Sequence, residues 1–133
     1  MHVYVLDTSA ILALLNGEPG HDTVRDILVQ AREPGTTAVY IPFIALMETE
    51  YLMMRRHSEE SAARYMKQVL GWPARVVESD PAWCHGAAII KASGRLSLAD
   101  AWIAALALSL GASLVHKDPE FDRIKTLQTL RVS

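Results

Sequence analysis

The stretch His2-Val3-Tyr4-Val5-Leu6-Asp7-Thr8-Ser9 decides how the rest of the chain is read. An apolar, β-branched run stops at a carboxylate, and two hydroxyl residues and a helical pattern over residues 10–15 follow it. A run of this kind is a buried strand handing over to a helix. Asp7 then stands at the carboxyl end of a strand, where open α/β sheets place their ligands. The plainer reading of the same residue is a helix cap or turn. What separates the two is whether other acids converge on it.

Working outward, strands and helices alternate. Gly17-Glu18-Pro19-Gly20 is a turn, and residues 22–32 carry Val24, Ile27, Leu28 and Ala31 at helical spacing. Residues 38–41 form a second short buried strand, and Pro42 suits the first turn of a helix over 42–57. Ser58 opens another helix to about residue 70, stopped by Gly71-Trp72-Pro73. Residues 74–77 are a third strand candidate. Ser79 or Asp80, with Pro81, opens a helix bearing Trp83, Ala87 and Ile90 on its apolar face, and Gly94 ends it. Ser97 begins the helix over 98–110, closed by Gly111; residues 112–116 are a fourth strand and residues 126–132 an edge strand. No internal repeat, low-complexity tract or linker interrupts the order, so one domain over residues 1–133 is expected. The alternation implies an α/β fold with a mainly parallel sheet of four to five strands, covered on both faces.

Three further acids fall where this sheet would gather them. From Ala101 to Leu108 the chain carries neither charge nor hydroxyl, so its helix is largely buried, and Asp100 enters that surface beside Trp102 and Ile103. Ser97 and Asp100 also fit a variant capping box. From Asp100 to Gly111 the helix climbs about 16 Å, at roughly 1.5 Å per residue. The strand running back from Ser113 to Asp118 covers about 16 Å, at roughly 3.3 Å per residue. Asp118 therefore returns to the sheet end from which Asp100 set out; before Pro119 it also reads as a turn residue. Glu48 has Ile44, Ala45, Tyr51 and Leu52 as its helix neighbours, which places it on the core-facing stripe, while Glu50 lies about 200° further round. A glutamate there needs a partner, either the metal site or Arg55 or Arg56 bending back.

Acids crowded at one sheet end repel each other, and a divalent cation relieves the repulsion. Oxygen ligands without histidine or thiolate suit Mg²⁺ or Mn²⁺, and the natural chemistry is metal-assisted hydrolysis of a phosphodiester.

Composition fits this reading. Of 133 residues, 50% are hydrophobic and 21% charged, as in an ordinary globular domain with a sizeable core. The single cysteine, Cys84, cannot form an internal disulfide, which points to a reducing compartment. The longest uncharged apolar stretch, residues 101–115, is too short to span a bilayer, and no basic n-region precedes His2, so no membrane association and a cytoplasmic location are expected. A net charge of −2 excludes the global basic field of a non-specific nucleic-acid binder. Any nucleic-acid contact must be local, through residues such as Arg55, Arg56, His57, Arg64, Lys67, Lys91, Arg95 and Lys117, or through a metal.

Four segments resemble the motifs of PIN-domain nucleases. They are Val5-Leu6-Asp7-Thr8-Ser9, Met47-Glu48 with Tyr51, residues 96–105 (Leu-Ser-Leu-Ala-Asp-Ala-Trp-Ile-Ala-Ala), and Leu114-Val115-His116-Lys117-Asp118-Pro119-Glu120-Phe121. They span the chain in order, and the third is the most specific. Length and single-domain form resemble a VapC-type toxin of a toxin–antitoxin pair. The resemblance implies an α/β/α three-layer sandwich and a Mg²⁺- or Mn²⁺-dependent endoribonuclease acting on RNA. It also implies a homodimer, a small VapB-type antitoxin whose tail enters the acidic groove, and a catalytic metal site at Asp7, Glu48, Asp100 and Asp118. Its alternatives are a PIN nuclease of RNA processing and a catalytically silent binding module. The chain departs from the pattern at His116, where relatives carry Thr or Ser; hydrogen bonding to substrate and simple packing are both open to it. Two rivals fit worse. A haloacid-dehalogenase-type phosphatase needs an acid where Ser9 stands, and a receiver domain needs an acidic pair ahead of Asp7.

Overall fold

In the computed structural model, which describes residues 1–94 and 96–132, five strands form one sheet: β1 (His2–Leu6), β2 (Thr37–Pro42), β3 (Arg75–Val77), β4 (Ser113–His116) and β5 (Gln128–Arg131). Their order is β3-β2-β1-β4-β5 and every neighbouring pair is parallel. Six helices, α1 (Thr8–Asn16), α2 (His21–Gln30), α3 (Phe43–Arg56), α4 (Glu59–Leu70), α5 (Pro81–Ala92) and α6 (Leu98–Leu110), complete an α/β/α sandwich. The basic residue Arg95 lies outside the described residues.

The sheet is built on the apolar runs. Val5, Leu6, Leu114 and Val115 are wholly buried, as expected of central strands covered on both faces. The uncharged middle of α6 is buried too, from Ile103 to Ala107. Phe43, Trp83 and Trp102 meet edge to face at 5.0–5.5 Å, and Trp83 Nε1 donates to the Trp102 carbonyl at 2.7 Å. These contacts fix α5, α6 and the start of α3 against one another.

Strand order creates the crevice. The chain leaves β1 for β2 on one side and later enters β4 on the other. The segments beyond β1 and β4 diverge there, and ligands of such sheets bind at that switch point.

Several local expectations shift. Pro42 closes β2 and stands at the N-cap of α3, outside its first turn. Asp80, not Ser79, caps α5, its side chain accepting from Trp83 N at 2.9 Å. The edge strand is shorter than residues 126–132, and a 3₁₀ turn over Pro119–Arg123, absent from the sequence reading, precedes it. The core-facing stripe of α3 is Ala45, Thr49 and Met53, not the one through Glu48. Thr49 sits on that stripe because its hydroxyl returns to the Ala45 carbonyl at 2.7 Å, whereas Tyr51 stays 38% exposed.

Candidate metal centre

Asp7 directly continues β1, and its own N–H still bonds to the Val115 carbonyl at 3.2 Å. The chain then turns into α1, for which Asp7 is the N-cap: Oδ1 accepts from Ala10 N at 2.8 Å. Ser9 Oγ lies 2.8 and 2.9 Å from the two carboxylate oxygens. The residue is only 3% exposed. Burial pushes its pKa up to about 7; the bonds from Ala10 and Ser9 oppose that, and the charges of Asp100 and Asp118 add to it.

Asp100 sits in the first turn of α6, where Ser97 Oγ caps its N–H at 3.2 Å. It is half-buried, and burial raises its pKa to about 6; the Ser97 hydroxyl opposes, and Asp118, Glu48 and Glu120 push the same way as burial. Asp118 follows β4 and caps the 3₁₀ turn, accepting from Glu120 N at 2.9 Å. One carboxylate oxygen each of Asp100, Asp118 and Glu120 lie within 4.8 Å of one another. Glu48 is half-buried in α3, and its Oε1 accepts from Thr8 Oγ1 at 2.6 Å. The arginines considered as its partners, Arg55 and Arg56, are exposed. The ion pairs Arg25–Asp26, Arg64–Glu60, Lys117–Glu18 and Arg131–Asp122 use other acids.

All four acids singled out in the sequence thus come to one end of the sheet, and Glu120 joins them as a fifth. Its signal was Asp118-Pro119-Glu120, since a proline after a turn acid brings the second residue back beside it.

The sequence matches the PIN domain family model over residues 4–127. The chain belongs to the PIN domain family. A search of curated proteins found no match. Among solved structures, VapBC2 from Rickettsia felis bound to a DNA fragment from its promoter is similar at a TM-score of 0.80 and 19% identity, covering 98% of this chain and 99% of that one. VapBC-1 from nontypeable Haemophilus influenzae gives 0.73 and 25%, covering 97% of each chain. Mycobacterium tuberculosis VapC20, a sarcin-ricin loop cleaving toxin, gives 0.69 and 23%, covering 90% and 93%.

In this PIN domain Asp100, Asp118 and Glu120 bring three carboxylate oxygens close enough to hold a metal ion, and burial and mutual repulsion raise the pKa of Asp100 and of the neighbouring Asp7. Those are the properties of a site fitted to a hard divalent cation. His116 stands apart from it. Its ring is wholly buried, packs edge-on to Phe121 at 5.2 Å, and neither nitrogen has a hydrogen-bond partner among the described residues. Burial lowers its pKa, against the opposing pull of the Asp118 main chain, which faces the ring without forming a proper hydrogen bond. Burial and the contact with Phe121 favour packing of its two open roles. Arg55, Arg56, His57, Arg64 and Lys67, at the end of α3 and on α4, are exposed, and Arg64 pairs with Glu60. No helix among the described residues is long and apolar enough to cross a membrane.

Proposed function

We propose that this PIN domain is a Mg²⁺- or Mn²⁺-dependent endoribonuclease and the toxin of a VapBC-type toxin–antitoxin pair. The observation that carries the reading is the acid cluster at the switch point: Asp100, Asp118 and Glu120 within 4.8 Å, beside a buried Asp7 that the charges of Asp100 and Asp118 reach. Asp7, Asp100 and Asp118 are the direct oxygen donors of the site, and Glu48 enters from α3. When bound, the cation supplies a water of lowered pKa and stabilises the charge on a scissile phosphodiester. The chain's own part is to hold the donors in place. Ala10 N–H and the Ser9 hydroxyl hold Asp7 and oppose the rise that burial imposes on its pKa, and Thr8 donates to Glu48. The exposed Arg55, Arg56 and Lys67 offer local phosphate contacts that the net charge alone does not.

RNA as substrate is supported by the likeness to a toxin that cleaves the sarcin-ricin loop. A small VapB-type antitoxin is supported by the likeness to VapBC complexes. A homodimer and a cytoplasmic location follow from the same reading. The test is incubation of purified, partner-free protein with RNA plus Mg²⁺ or Mn²⁺. Cleavage that EDTA stops, and that Asp7→Asn and Asp100→Asn lose, is expected; intact RNA with metal present contradicts the proposal. Growth arrest on expression, relieved by Asp7→Asn and by co-expression of a VapB-type antitoxin, tests the toxin role. Metal-dependent cleavage without growth arrest would favour RNA processing instead.

A further inference from the structure

We infer that Ser9 is a positioning residue whose hydroxyl ties the Asp7 carboxylate to the main chain at Lys117 and thereby sets the spacing between Asp7 and Asp118. The inference rests on the metal-site reading above. At the switch point β1 and β4 part company. The last main-chain bond between them is Asp7 N–H to the Val115 carbonyl. Beyond it, the N–H of Lys117 is taken by Ser9 Oγ at 2.9 Å, across 108 residues of sequence. The same oxygen lies 2.8 and 2.9 Å from the Asp7 carboxylate.

Chemistry fixes the direction of this chain of bonds. An amide N–H only donates, so the serine oxygen must accept from Lys117. Its single proton is then left for the Asp7 carboxyl group, whose oxygens lie within accepting distance. Bonds in series of this kind polarise one another. Lys117 directly precedes Asp118, so the link spans the two strand ends that carry acids. Ser9 therefore does for the β1 and β4 ends what a further rung of the sheet would do, and it leaves the crevice open. Alanine at this position suits a helix well, so the helix itself survives the change.

The test is Mn²⁺ titration of the purified full chain, followed by calorimetry or by the loss of free-Mn²⁺ paramagnetic signal, with thermal unfolding of the metal-free protein alongside. Ser9→Ala is expected to raise the Mn²⁺ dissociation constant by about 10- to 100-fold, the usual effect of removing a group that orients a ligand. Ser9→Thr, which keeps the hydroxyl, is expected to restore wild-type affinity. Should Ser9→Ala fail to fold, Ser9→Cys keeps the volume with a weak donor and is expected to bind more weakly than wild type. A Ser9→Ala protein that binds Mn²⁺ like wild type, whatever its thermal stability, overturns the inference and leaves the metal site standing. Wild-type protein that binds no Mn²⁺ overturns both.

Discussion

The β1–α1 junction and the middle of α3 deliver acids to the same crevice by opposite means. Asp7 is held by its own neighbourhood: it ends a buried strand, caps the helix that follows and is bonded by Ser9 and Ala10. Glu48 has no such local frame. It stands at the margin of α3, away from the buried stripe, and its hydrogen bond comes from Thr8 on another element. A junction acid is set by backbone geometry and is almost wholly removed from water. A mid-helix acid is set by one remote hydroxyl and keeps some freedom. The expected consequence is that the site depends on Asp7 absolutely and on Glu48 by degree.

Substitution at the junction should have the largest effect. Asp7→Asn keeps a good helix cap, since asparagine ranks with aspartate there. Metal-dependent RNA cleavage is expected to fall by about 10²- to 10³-fold or more, the scale seen when one charge-stabilising group is removed from an active site. Metal-free thermal stability should hold or rise, because a strained buried carboxyl has gone. A parallel loss of folding, read by circular dichroism, would break the distinction between cap and site.

Loss at α3 should be milder. Thr8→Val keeps shape and removes the donor to Glu48, and Mn²⁺ affinity is expected to drop by about 10-fold, at the lower end for orienting groups. An effect as large as that of Asp7→Asn would show that Glu48 is as rigidly required as the junction acid. Glu120→Gln sharpens the same point: a fall in affinity comparable to Thr8→Val marks it as a working fifth acid, and no change assigns it to the turn alone.

Next comes the pH dependence. Folded Asp7 and Asp100 hold their protons to about 7 and about 6, whereas the unfolded chain releases them near 3.8. Between these values the folded state binds more protons than the unfolded one, so metal-free stability is highest at low pH and falls as pH rises through the folded values. Urea midpoints in EDTA at about pH 5 and about pH 8 should show the fall, and Asp7→Asn should flatten it. Saturating Mn²⁺ should stabilise more at the higher pH, because its ligands must be ionised.

The smallest effect is expected at His116. Its ring nitrogens are buried without partners, so His116→Leu removes an unsatisfied polar group while keeping most of the volume. Cleavage should be unchanged and stability unchanged or slightly improved. A large loss of cleavage would return His116 to the site.

Much of this was legible in the sequence where residues act through their neighbours. The apolar runs ending in Asp7 and Asp118, and the uncharged α6 with its Ser97 cap, placed sheet, crevice and three acids, because periodicity and capping are local. Asp7 and Asp118 both cap the next turn and yet lie close enough for the charge of one to raise the pKa of the other, so capping does not exclude the proposed site role. Glu48 was placed on the wrong stripe because apolar neighbours on a helix do not say which face meets the core, and here Thr49 took the buried position. Glu120 had only the turn signal of Asp118-Pro119-Glu120, and the Ser9–Lys117 link was not legible, since its partners lie 108 residues apart.

The most direct measurement is a crystal structure of the protein grown with Mn²⁺, with anomalous scattering collected at the manganese edge. A peak bonded to carboxylate oxygens of Asp7, Asp100 and Asp118, and absent from an Asp100→Asn crystal, is the expected result. Crystals saturated with Mn²⁺ that show no anomalous density among these side chains would contradict the metal centre and the hydrolytic chemistry built on it.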